Sequence, residues 1–200
     1  MGSDPEPPPT PAGPPAPAAN LPTADRYPIA QLPAPGSSLD FYSVPLAVVT
    51  GQVAEIVRRE GPVHEWDVMV RVAGAWGLQR VGSQIEARVG AAIDAAGRGG
   101  TIARKDGFLA VPGAPARVRS RVGTDIPMER VPPEEVQEAI RLVLAAVREA
   151  PRDQLVAHVR GLFGFQRTGQ RIESWITESV RSMVRDGRIG EGPQGLGLLG

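Results

Sequence analysis

At 200 residues the chain is long enough for one or two domains with real cores, and a hydrophobic content of 42% means that at least part of it folds. Its 22 basic and 22 acidic residues cancel, which removes any global attraction to nucleic acid or acidic membranes. The absence of cysteine excludes disulfides, thiolate zinc sites and thiol nucleophiles, and no apolar run approaches the roughly 20 residues that cross a bilayer.

Residues 1–43 are rich in Pro, Ala and small polar residues, including Pro7-Pro8-Pro9 and Pro14-Pro15. Such a stretch buries too little apolar surface to offset its ordering entropy, so a disordered arm is expected. It has neither the basic start nor the apolar core of a signal peptide, and a cytoplasmic location is expected. A first folded unit is predicted over 44–112. Val49, Val53, Ile56 and Val57 recur at helical spacing, with Arg58, Arg59 and Glu60 on the wet side, until Gly61-Pro62 breaks the helix. A second helix is expected over about Glu65–Trp76, closed by Gly77. After a turn carrying Gln79 and Arg80, a third helix starts near Gly82, with Ser83 as its cap and Ile85, Val89, Ile93 and Ala96 on its buried edge. Two short strands around Asp106-Gly107 then form a hairpin.

Residues 113–130 read as a linker in which Arg117, Arg119, Arg121 and Arg130 outnumber Asp125 and Glu129. A second unit follows over 131–200. Pro132-Pro133-Glu134-Glu135 places proline in the first turn and acids at the positive end of the helix dipole. Its second helix is expected over about Arg152–Phe163, and its third from near Gly169 with Thr168 as cap. The closing hairpin, Gly187–Gly190 with Leu196–Leu199, is expected to be the shorter and more frayed of the two.

The two units are copies. Between Val70–Val89 and Ala157–Ile176 eight of twenty positions are identical without a gap, among them Gly77/Gly164, Gln79/Gln166, Arg80/Arg167 and Gly82/Gly169, at a spacing of 87. Three helices, the last two joined by a tight glycine-containing turn, then a hairpin, is the order of a winged helix-turn-helix. The fold class expected is therefore mainly α with small β-hairpins, built as two tandem winged-helix repeats after the arm.

The doubled Trp-Gly-Leu-Gln-Arg-Val-Gly-Ser-Gln-Ile and Phe-Gly-Phe-Gln-Arg-Thr-Gly-Gln-Arg-Ile, with the Pro-Pro-Glu-Glu helix start, resemble a bacterial domain of unknown function. That domain lies at the C-terminal end of large superfamily-one helicase proteins, often after a Vsr-like endonuclease domain. The likeness covers roughly Val44 to Gly200. It implies DNA processing or defence against foreign DNA, with a helicase or nuclease as partner protein. It brings no enzymatic activity: the phosphate-binding loop of the motor and the nuclease are both absent from this sequence.

Catalysis finds little support among the residues. His64 and His158 are the only histidines, and neither stands in a Ser-His-Asp order or a metal-ligand spacing. The acids beside His64, Glu65 and Asp67, are explained by a helix start. No enzyme, cofactor, metal or membrane partner is expected. DNA is the leading candidate, read by residues at the start of each third helix: Ser83, Gln84 and Arg88 in the first copy, Gln170 and Arg171 in the second. Gln79, Arg80, Gln166, Arg167 and Thr168 in the turns serve either to hold a phosphate or to brace the turn's own carbonyls. Arg104 and Lys105 on the first hairpin would reach a neighbouring phosphate. A pI near 6.8 argues for weak duplex binding alone. The rival expectation is a protein–protein adaptor, for which an exposed Trp175 would mark the contact surface.

Overall fold

The computed structural model describes residues 21–34, 36, 40–166 and 169–199. It begins with β1 (Asp25–Arg26) and continues through α1 (Leu46–Glu60), β2 (Val63–His64), α2 (Glu65–Ala75), α3 (Ser83–Arg98), β3 (Ala103–Lys105) and β4 (Phe108–Ala110). The connecting stretch holds β5 (Arg119–Ser120) and a 3-10 turn at Met128–Arg130. Then come α4 (Pro133–Val147), β6 (Glu149–Ala150), α5 (Arg152–Phe163), α6 (Gln170–Arg185), β7 (Ile189–Gly192) and β8 (Gly195–Leu198). The chain is mainly helical with small β-hairpins, and the order helix, strand, helix, helix, strand, strand occurs twice.

The echo at 87 residues extends to pairing and packing. Val63 faces Leu109 across β2 and β4, and Ala150 faces Leu196 across β6 and β8; Arg104 faces Leu109 as Glu191 faces Leu196. Each pair in the second half is the first moved by the same interval. Both three-stranded sheets have the late strand in the middle, β2-β4-β3 and β6-β8-β7. Val49, Val53, Ile56 and Val57 on α1 are fully buried, and so are their counterparts Val136, Ile140, Val143 and Leu144 on α4. Val89 and Ile93 on α3 match Ile176 and Val180 on α6. The buried side chains nevertheless form two clusters, one from Ala30 to Leu109 and one from Val118 to Leu196. Each unit thus closes its own apolar face.

What joins the units is ionic. Glu135, near the start of α4, is fully buried; its carboxylate accepts from the Arg119 amide at 2.8 Å, from Arg119 Nη2 at 2.8 Å, and from Arg121 Nη1 and Nη2 at 2.6 and 3.0 Å. Arg119 Nη1 also donates to the Glu60 carbonyl at 2.6 Å and Nη2 to the Pro62 carbonyl at 3.0 Å, where α1 leaves its carbonyls without helical partners. The buried Glu60 carboxylate takes Arg71 Nε at 3.0 Å and the Ala30 amide at 2.7 Å, while Arg130 Nη1 reaches Asp67 at 2.8 Å. None of these acids is repeated: the positions equivalent to Glu60, Asp67 and Glu135 hold Val147, Gln154 and Val48. The copies share their cores and differ at their junction.

Several expectations are corrected here. Within the arm expected to be disordered to residue 43, Tyr27, Ala30 and Phe41 are buried; residues 1–20, 35 and 37–39 lie outside the described residues. Arg119 and Arg121, read as linker charges, are only 5% and 4% exposed, and Glu60 is not on a wet face. Each hairpin gains a third strand, β2 or β6, too short to show a period. The second hairpin has four-residue strands against three in the first, the reverse of the frayed end expected. Ser83 does not cap α3: Gly82 and Gly169 hold the cap positions of α3 and α6 without a side-chain bond, and Thr168 lies outside the described residues. Gly164 closes α5 at φ 81°, and an added Cβ would meet Val122 Cγ2 at 2.3 Å, so the connecting stretch rests directly on this glycine.

Replacing one member of a buried charge pair leaves the other desolvated and unpaired. Glu135→Ala is expected to cost about 3–5 kcal/mol in urea unfolding, whereas Glu138→Ala, which breaks an exposed pair with Arg141 on the same helix, is expected to cost less than about 1 kcal/mol.

Candidate nucleic-acid interface

The two turn-and-helix-start elements to which the sequence points carry exposed polar side chains among the described residues. In the first copy Gly77, at φ 69°, ends α2 and swings the chain outward, leaving Gln79, Arg80, Ser83 and Gln84 all exposed. No ion pair or hydrogen bond from the Arg80 side chain is seen among the described residues, so the bracing role considered for it gains no support. In the second copy Gln166, Gln170 and Arg171 are exposed, while Arg167 and Thr168 lie outside the described residues.

Arg88 is a different matter. Its Nη2 donates to the Val44 carbonyl, and its guanidinium stands 5.7 Å from the centre of the buried Phe41 ring. At the equivalent position of the second copy Trp175 donates its indole N–H to the Val131 carbonyl at 3.1 Å. Val44 and Val131 are themselves 87 residues apart, so one structural bond is made in both copies by two unlike side chains. It ties the third helix to the entry of the first. Arg88 is thus removed from the base-reading set, and Trp175, half-buried against the second core, is not the bare contact residue the adaptor reading requires.

The hairpin cations do not stand free either. Arg104 makes a forked pair with Glu65 at 2.6 and 2.7 Å and also meets Asp94 at 3.2 Å. Lys105 reaches across to Glu134 of the second copy at 2.7 Å. Arg171 lies 3.9 Å from Glu129, at the limit of an ion pair, and keeps 89% of its side chain exposed. Glu173 and Glu178 flank it, together with Arg181, in an open groove along α6. The outer face of α3 mixes charges: Glu86, Ala87, Ala91 and Asp94 follow Ser83 there, and Arg98 closes the last turn. Acids therefore interleave the basic set, and Arg80, Arg88, Arg104, Lys105 and Arg171 do not act as one unpaired basic patch.

Among the described residues no three His, Asp or Glu side chains are placed to hold a metal. His64 Nδ1 accepts from the Trp66 amide at 3.1 Å and its ring packs edge-on against Phe108; burial lowers its pKa. It caps α2, which is a structural task. No described helix is long and apolar enough to cross a membrane.

A family model described as "Protein of unknown function (DUF3320)" matches residues 40–87, which is less than half of the chain. No curated protein matches the chain, and no solved structure does. The matched stretch runs from just before the buried Phe41 to the first turn of α3, so it contains the exposed turn with Gln79 and Arg80. Moved by 87 residues it becomes 127–174, which contains the repeated residues Gln166 and Arg167.

The exposed Lys105–Glu134 pair sets an electrostatic expectation. Partial burial raises the Glu134 pKa, but the Lys105 hydrogen bond and charge, with the helix-start backbone, outweigh it and hold the carboxyl below its usual value. A depressed carboxylate contributes stability above its unfolded pKa, and that contribution is lost as pH falls through the folded value. Lys105→Ala should move the Glu134 titration upward in an NMR pH series while changing stability at neutral pH by less than about 1 kcal/mol.

Proposed function

We propose that the chain is a non-catalytic accessory module that engages duplex DNA weakly through the exposed turn of the first copy and the exposed starts of α3 and α6, within a helicase or nuclease system. Each unit is read as a winged helix-turn-helix, since the helix, strand, helix, helix, strand, strand order with a three-stranded sheet is that of this class. The observation that carries the reading is the turn of the first copy: Arg80, with no partner among the described residues, stands beside Gln79 at the approach to α3, whose start takes no side-chain cap and whose Ser83 is exposed. A phosphate meets unspent donors there, with the positive end of the helix dipole behind them. Gln84, Gln170 and Arg171 remain able to reach base edges. Arg88, Arg104 and Lys105 have no part in this version of the site. The link to helicases and nucleases rests on the family resemblance of the repeated turn blocks.

A second reading, a protein-docking adaptor, is favoured by a specific observation. Trp66 and Val70 stand one turn apart on α2, both exposed, while Asp153 and Ala157 take their places in the second copy. An exposed tryptophan beside neutralised cations suits a protein partner better than a phosphate backbone.

Titrating a labelled duplex with the full chain at increasing salt separates the two. Dissociation constants of about 10⁻⁴–10⁻⁶ M are expected near physiological salt, and Arg80→Ala and Arg171→Ala should each lower the salt slope by about 1. Thermal stability should change by less than about 1 kcal/mol, as for other surface substitutions. Duplex binding indifferent to both arginines would remove the DNA reading, and loss of partner capture on Trp66→Ala would establish the other.

A further inference from the structure

The segment Leu21–Ala34 lies across both units. Leu21 and Ala24 pack on the second core, Ala30 and Leu32 on the first. Between them β1 pairs in parallel with β5, Asp25 opposite Arg119 and Arg26 opposite Ser120, and the Tyr27 amide donates to the Ser120 carbonyl at 3.1 Å. The Tyr27 ring, 5% exposed, covers both guanidiniums of the junction: Arg119 Cζ stands 4.8 Å and Arg121 Cζ 4.4 Å from its centre. Three residues on, the Ala30 amide donates to the buried Glu60 carboxylate. Two residues of strand are far too few to hold a segment by themselves, so its seat is made by the ring on the arginines and by the amide on the carboxylate.

We propose that Leu21–Ala34 is a displaceable clasp, and that seating Tyr27 over Arg119 and Arg121 is what makes the two copies move as one body. The connecting stretch anchors itself to the second core through Val118 and Met128, but where it meets the first unit its buried side chains, Arg119 and Arg121, are charged. Arg119 and Arg121 gain a dry environment only while the ring lies over them, and desolvation strengthens their pairs with Glu135. With the clasp lifted, water enters the junction, those pairs weaken toward the value of surface pairs, and each unit keeps only its own core. The proposal rests on packing at the junction and holds whether or not the turns meet DNA.

Trypsin reads the clasp directly in the full-length chain. Arg117 is exposed, whereas Arg121 is buried and its amide is held by the Phe163 carbonyl at 2.8 Å, so cleavage after Arg121 requires the junction to open. With fast opening and closing, the cleavage rate follows the population of the open form. Tyr27→Ala is expected to accelerate cleavage after Arg121 by roughly tenfold or more, with cleavage after Arg117 in the same sample as reference, while Tyr27→Phe, which keeps the ring over the arginines and loses only the hydroxyl beside the buried Glu60 carboxylate, accelerates it less. Val53→Ala, which softens the first core away from the junction, controls for general instability. Cleavage after Arg121 that is no faster in Tyr27→Ala than in wild type, or no faster than in Val53→Ala, would overturn the proposal.

Discussion

A fully buried carboxylate sits between two guanidiniums where the connecting stretch meets α4, and the joining of the two units depends on it. Glu135 receives four hydrogen bonds from Arg119 and Arg121; Arg119 also caps the open end of α1, and both guanidiniums lie under Tyr27. A buried ion pair contributes little net stability against an apolar substitute of the same shape, but half of one is strongly destabilising. The junction therefore acts as a condition rather than as a reservoir of energy. The two units must approach in the one disposition that satisfies both arginines, and an apolar seam between them would tolerate sliding.

The contrast between core and junction explains how a duplicated unit becomes one asymmetric protein. At the core positions, volume and apolar character repeat with the 87-residue interval, down to strand register. At the junction they do not, because a repeat facing a different neighbour on each side has different surfaces to desolvate. Val48, counterpart of Glu135, is left exposed, and Val147, counterpart of Glu60, faces no arginine pair among the described residues. The hydrogen bond from position 88 or 175 to the entry of the first helix lies between these extremes. Arg88 and Trp175 have no chemistry in common except a donor at the end of a long flat side chain, and that donor is what the carbonyl of Val44 or Val131 requires.

How much of this was legible in the sequence follows from range. The helical stripes, the duplicated turn and the Asp106-Gly107 hairpin are local patterns, and α3 and α6 begin one residue after Gly82 and Gly169. Strands β1, β2 and β6 are two residues long and have no period to detect. Arg119 and Arg121 in a Pro- and Gly-flanked stretch read as solvated charges, since charged residues are rarely buried unless paired, and their partner Glu135 is itself explained locally by the helix dipole. The same limit applies to the candidate site. Exposure of Gln79, Arg80, Ser83 and Gln84 follows from the turn, but the neutralisation of Arg104 by Glu65 and of Lys105 by Glu134 is set by tertiary approach. One signal for the junction was present: acids at Glu60, Asp67 and Glu135 whose repeat counterparts are uncharged.

Native-state hydrogen exchange tests the central claim most directly, namely that an ionic junction couples two separately cored units into one cooperative body. The slowest amides of α1 and α3 and those of α4 and α6 should exchange with a common opening free energy in the wild-type chain, and Glu135→Gln should lower both sets together before any separation between them appears. Two unlike opening free energies in the wild type, with Glu135→Gln lowering only that of α4 and α6, would contradict it.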